Sequence, residues 1–197
     1  MRRIHQTNVV FIHIPKTAGQ AVTNAFGEEH RSSDHTIKCL EDKQYKGKEF
    51  IRFLVIRDPI ARFISAYKYQ CHMQYKNYEK VKIRASITKY GLDKDINEFI
   101  DFIQKSKIKL RSILWFKPQM SFINIGKPQI ILRYENLEND LQIIRRIIPE
   151  HYQGLSPVNV SKGREKSDRA NCLLNQKSLN FIHKEYKNDF FFLGYKI

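Results

Sequence analysis

Phe53-Leu54-Val55-Ile56-Arg57-Asp58-Pro59-Ile60-Ala61-Arg62-Phe63-Ile64-Ser65-Ala66-Tyr67 is the stretch that decides how this chain is read. Its first four residues are apolar and rich in β-formers, the pattern of a strand covered on both faces. Asp58 then offers a helix N-cap, and Pro59 has its φ preset for the first helical position. Ile60, Phe63, Ile64, Tyr67 and Cys71 recur at helical spacing, so the strand runs through a tight turn into a helix. Arg57 stands at the mouth of that turn. The same design occurs upstream, in Phe11-Ile12-His13-Ile14-Pro15-Lys16-Thr17-Ala18-Gly19. This apolar run also ends in a turn with a cation, Lys16, and opens a helix.

Outward from these two segments, strands are expected from Asn8 to Ile14, Phe50 to Ile56 and Gln129 to Arg133. Helices are expected from Gly19 to Phe26, Thr36 to Lys43, Asp58 onward, Ile96 to Lys105, Glu135 to Ile148 and Asn175 to Lys187. His151 to Ala170 reads as a loop, and Phe190-Phe191-Phe192-Leu193 as a quartet packing the chain end onto the body. Strand–helix alternation predicts an α/β fold with a central, mainly parallel sheet flanked by helices. One domain over residues 1–197 is expected, with 74–127 as a helical insertion that shapes an acceptor site.

The bulk numbers narrow the partners. At 197 residues and 42% apolar content the chain can build a proper core. Val9 to Ile14 is too short to span a bilayer, and no signal-peptide apolar region follows Met1-Arg2-Arg3, so a soluble cytoplasmic chain is expected. Cys39, Cys71 and Cys172 lie far apart with no Cys-x-x-Cys or Cys/His spacing, which predicts reduced thiols and no metal site. The net charge of +15 draws polyanions: nucleic acid, anionic lipid, acidic glycan or a polyphosphorylated cofactor. The lysines are dispersed, and zinc knuckles, Arg/Gly-rich tails and RNP-type motifs are missing, so no specific nucleic acid is expected.

Ligands of parallel sheets bind beyond the carboxyl ends of the strands, where both turns would open. Backbone N–H groups at a helix start favour an anion. Lys16 adds a full charge there and Thr17 a hydroxyl. Arg57 can grip a phosphate bidentately, and Ser65 lies about two helical turns further on. Two anion sites side by side suit a ligand with two separated phosphates. The Walker pattern G-x-x-x-x-G-K-[ST] is absent, which argues against a nucleoside triphosphatase or kinase. Asp58 reads as a cap. Arg62 reads as a ligand contact or as the structural partner of an acid.

The two motifs resemble those of the sulfotransferases that use 3′-phosphoadenosine 5′-phosphosulfate (PAPS), in particular the carbohydrate branch with heparan 2-O-sulfotransferase-like and related bacterial enzymes. His13 to Gly19 is similar to that family's 5′-phosphosulfate loop. Arg-Asp-Pro-x-x-Arg-x-x-Ser-x-Tyr, here Arg57 to Tyr67, is similar to its 3′-phosphate motif. Fainter echoes lie at Lys117-Pro118-Gln119, Arg133-Tyr134-Glu135-Asn136, Asn159-Val160-Ser161-Lys162 and Asp189 to Tyr195.

The resemblance implies a P-loop-like sulfotransferase fold, a bacterial source and in-line sulfuryl transfer from PAPS to a hydroxyl of a glycan or sugar-containing metabolite. It implies that Pro15, Lys16, Thr17, Ala18, Gly19, Gln20 and Ala21 cradle the 5′ end, with Lys16 stabilising charge at the bridging oxygen. Arg57 and Ser65 would hold the 3′ phosphate, and Lys162 and Arg164 would close over the nucleotide. The implied general base is His35, in the connection between the motifs, with His30, His72, Glu28 and Glu29 as alternatives. No metal is implied. The chain departs from the family pattern in three places. Ala18 stands where a glycine is common, Gln20-Ala21 replaces a usual Thr-Ser pair, and Trp115 falls where relatives often carry a histidine. The competing reading is a non-catalytic basic module that binds nucleic acid or another polyanion on the same scaffold. Its binding would be salt-sensitive and would survive loss of Lys16.

Overall fold

The computed structural model describes residues 2–4, 7–28, 49–77, 95–106, 108–155 and 174–197. The chain forms two compact units, Met1–Arg57 with Gln119–Ser161, and Asp58–Pro118 with Lys162–Ile197. The described strands are β1 (Arg2–Arg3), β2 (Val9–Ile12), β3 (Ile51–Ile56) and β4 (Ile130–Arg133). The described α-helices are α1 (Gly19–Ala25), α2 (Pro59–Asn77), α3 (Ile96–Lys105), α4 (Gln119–Gly126), α5 (Leu137–Ile147), α6 (Gln176–Glu185) and α7 (Lys187–Leu193).

The first unit carries one sheet in the order β1-β2-β3-β4. β2, β3 and β4 are parallel, with Phe11 opposite Phe53 and Phe53 opposite Ile130. This is the expected α/β sheet. Side chains alternate across it: Val9, Phe11, Phe53, Val55 and Leu132 share one face. They pack there with Val22 and Ala25 of α1 and with Leu137, Leu141 and Ile144 of α5. Helix α4 approaches the other face at Ile12. A Cβ on Gly126 would come within 2.6 Å of the Ile12 Cδ1, so a larger residue there would push the tip of that side chain aside.

Three details differ from expectation. The antiparallel edge strand β1 was not foreseen, because Arg2-Arg3 carries no apolar signal. It pairs with Val10 and Phe11, and the Thr7 N–H donates to the Ile4 carbonyl at 2.7 Å. The expected strand from Asn8 to Ile14 is shorter, and His13 and Ile14 already lead into the turn. The expected helix from Glu135 begins with a single 3-10 turn at Tyr134–Asn136 and ends, as expected, before Pro149.

The second unit is helical and built on aromatic packing. Phe63 of α2 lies 5.2 Å from Phe116 and 6.3 Å from Phe99 of α3, between ring centroids. Tyr186, Ile182 and Phe190 complete this core. α2 starts as its sequence dictates: the Asp58 carboxylate accepts from the Ala61 N–H at 2.7 Å, and Pro59 opens the helix. α3 has the expected bounds, with Asp95 capping Asn97 and Glu98.

The last helix is broken at Tyr186 into α6 and α7, and the expected aromatic quartet is only half buried. Phe190 and Leu193 are in the core, while Phe191 and Phe192 are 76% and 62% exposed. Residues three apart share a helix face, and those between them cannot join it.

Arg62 is 1% exposed. Its guanidinium donates to the carbonyls of Trp115 and Lys117 and faces the Tyr186 ring at 5.8 Å. These contacts are structural, as one of its two readings had it, but they go to carbonyls and a ring where that reading named an acid. Among the described residues, no helix is long and apolar enough to cross a membrane, and no cluster of three or more His, Cys, Asp or Glu could hold a metal ion. The expected helix from Thr36 to Lys43 lies outside the described residues.

Candidate functional site

The turn after β2 is shaped by backbone geometry before any side chain acts. Lys16 and Ala18 have φ of 70° and 66°, a region that residues with a Cβ rarely enter. Thr17 between them has no positive φ. Such alternation turns successive N–H groups toward one side and makes a concavity suited to an anion. The unusual φ at Ala18 also explains why glycine is common at this point of the motif. Ala18 is the N-cap of α1 and supplies no side-chain cap to the first N–H groups. α1 has only seven residues, so its dipole is small and the turn itself carries the polarity.

Three residues brace the turn. Pro15 is buried. Thr17 is fully buried, and its hydroxyl donates to the Ile14 carbonyl at 2.9 Å, so its proton points into the loop's own backbone. Gly19 lies directly under the buried His13 ring: an added Cβ would stand 1.7 Å from Nε2. Gln20 and Ala21 follow on α1, both half-buried.

Lys16 is half-buried, and burial is the main reason its ammonium is lowered to a pKa of about 8, with the Arg57 guanidinium adding to the effect. The two cations therefore stand near each other. Each lies just beyond the carboxyl end of its strand, β2 or β3, which are adjacent and parallel. Arg57 Nη1 donates to the Lys16 carbonyl at 3.3 Å, and its guanidinium carbon sits 4.1 Å from the centroid of the Tyr134 ring. Two cations held this close cost electrostatic energy in the free protein. A bound polyanion would relieve it.

The backbone of Arg57 is itself clamped. Gln119, fully buried at the start of α4, accepts from the Arg57 N–H at 2.9 Å and donates to the Arg57 carbonyl at 2.8 Å. Sequence reading gave no role to Gln119 or Tyr134. The available signal was faint: both sit in short segments, Lys117-Pro118-Gln119 and Arg133-Tyr134-Glu135-Asn136, already set apart from the background.

Of the other expected site residues, Ser65 is half-buried on α2 in the second unit. His72 falls within α2, with its side chain outside the described set. Glu28 is half-buried just beyond α1. His30, His35, Glu29, Lys162 and Arg164 lie outside the described residues.

A family model described as "Sulfotransferase family" matches residues 2–196 of the chain. No curated protein and no solved structure matches it.

Proposed function

The chain belongs to the sulfotransferase family, and from that premise we propose that it moves a sulfuryl group from PAPS to a hydroxyl of a carbohydrate or related acceptor. The observation that carries the donor assignment is the pairing of Lys16 with Arg57 at the ends of two neighbouring parallel strands, linked through the Lys16 carbonyl. A nucleotide with phosphates at both its 3′ and 5′ positions has two anionic ends to match two cations. The braced turn, with positive φ at Lys16 and Ala18 and closed to a Cβ at Gly19, suits the 5′ end.

The donor supplies an activated sulfuryl group on a phosphate leaving group. This chain's residues must then hold that phosphate, neutralise it as charge develops, and take a proton from the acceptor. Lys16 is the cation for the developing charge, and Arg57 is the cation for the 3′ phosphate. Pro15 to Ala21 shape the 5′ cradle. Ser65, Lys162 and Arg164 are assigned donor contacts, and His35 the role of general base, on their motif positions alone.

The test is direct. Calorimetry should show adenosine 3′,5′-bisphosphate binding more tightly than AMP, without magnesium; equal binding of the two refutes the donor assignment. Labelled PAPS offered with a panel of glycans and small metabolites then identifies the acceptor. Lys16→Ala and Arg57→Ala should each abolish transfer while the fold persists.

A further inference from the structure

We infer that Gln119 is a positioning residue for the 3′-phosphate site, acting through the backbone of Arg57; the inference rests on the donor reading above. Arg57 is the residue directly after the last one of β3, so its backbone stands at the carboxyl end of that strand. A primary amide is well suited to this place. It offers an acceptor and a donor side by side, matching the N–H and carbonyl of one residue; a carboxylate cannot donate and a lysine or arginine cannot accept. Gln119 makes both bonds, at 2.9 Å and 2.8 Å, and is fully buried while doing so. The amide thus extends the hydrogen bonding past the carboxyl end of β3 by one residue and sets the direction in which the Arg57 side chain leaves it.

Beyond the Cβ, two more groups of the same unit complete the restraint. The Tyr134 ring lies 4.1 Å from the guanidinium carbon, and the Lys16 carbonyl accepts from Nη1. An arginine held in this way loses less side-chain entropy when it meets a phosphate. Selectivity for a 3′-phosphorylated nucleotide therefore depends on a residue that has no contact with the nucleotide of its own.

The experiment titrates the whole chain with adenosine 3′,5′-bisphosphate and with AMP, which shares the 5′ phosphate and lacks the other. Gln119→Asn keeps the amide but withdraws it by one methylene, and Gln119→Met keeps the bulk without either bond. In both variants AMP affinity should stay within about twofold of wild type, while the preference for the bisphosphate falls by about tenfold or more. A merely structural residue would lower the melting temperature or weaken both ligands together, leaving that ratio unmoved. A variant that binds AMP and keeps the wild-type preference overturns the inference. So does loss of cooperative melting and of AMP binding in both variants, since the amide would then serve the fold and nothing finer. A wild-type protein with no preference between the ligands defeats the donor reading itself, and the two failures are thereby told apart.

Discussion

Replacing Gly19 by alanine adds one methyl group where His13 already stands. The new Cβ would lie 1.7 Å from Nε2, 2.1 Å from Cδ2 and 2.2 Å from Cε1 of the ring. Ordinary contact requires a displacement of roughly 2 Å. The ring has little room to give it: His13 is 4% exposed and stacks on Phe11 with centroids 5.5 Å apart, and Phe11 is itself in the core beneath the sheet. Overpacking of this kind costs about 3 kcal/mol, the upper end of its usual range. For a chain of this size that is a fall in melting temperature of roughly 6–12 °C. The assay is thermal unfolding of four proteins: wild type, Gly19→Ala, His13→Ala and the double variant. Removing the ring should relieve the clash, so Gly19→Ala in the His13→Ala background should cost less than about 1 kcal/mol. A single variant that melts within about 2 °C of wild type, or a cycle in which the two costs simply add, refutes the argument that the ring excludes a side chain at this turn.

The Lys16 ammonium titrates near pH 8, so affinity for adenosine 3′,5′-bisphosphate should decline as pH rises from 7 to 9. Lys16→Arg should flatten that decline in calorimetric titrations. Stability of the ligand-free protein moves the other way. The unfolded chain binds the extra proton between about pH 8 and the ordinary lysine value of 10.5, so Lys16's contribution rises across that window. Ala18→Gly removes a Cβ at φ 66° and should stabilise the fold by about 1 kcal/mol in urea titrations. Arg62→Met strands the Trp115 and Lys117 carbonyls and should cost about 3 kcal/mol in the same assay. Phe191→Ser and Phe192→Ser, on the exposed side of α7, should each change stability by less than about 0.5 kcal/mol.

The sheet was legible because its central strands, β2 and the second half of β3, are buried on both faces and therefore read as unbroken apolar runs. Val9 to Ile12 and Phe53 to Ile56 needed no long-range information to be recognised. The two cations at the strand ends were legible for a similar reason: a charged residue directly after an apolar run, before a helix start, leaves few places for the charge to go. Gln119 was not legible, because its partner is a backbone and backbone groups are the same in every sequence. Arg62 left two readings open, a ligand or an acid, and the carbonyls it meets were in neither, because backbone acceptors brought close by tertiary packing leave no mark in the sequence. The aromatic quartet misled because four consecutive apolar residues carry no period, whereas a helix can bury only those three or four apart. β1 escaped notice because edge pairing through backbone groups leaves no mark on the side chains of Arg2 and Arg3.

Arg57 and Gln119 are 62 positions apart in the sequence, yet they share two hydrogen bonds. The polypeptide thus leaves the sheet and rejoins it at one spot, like thread drawn through a single eyelet. Lengthening or shortening the excursion between them need not disturb the strand register on either side. Evolution could redraw that whole segment, and with it whatever it recognises, while leaving the knot at its base as it was.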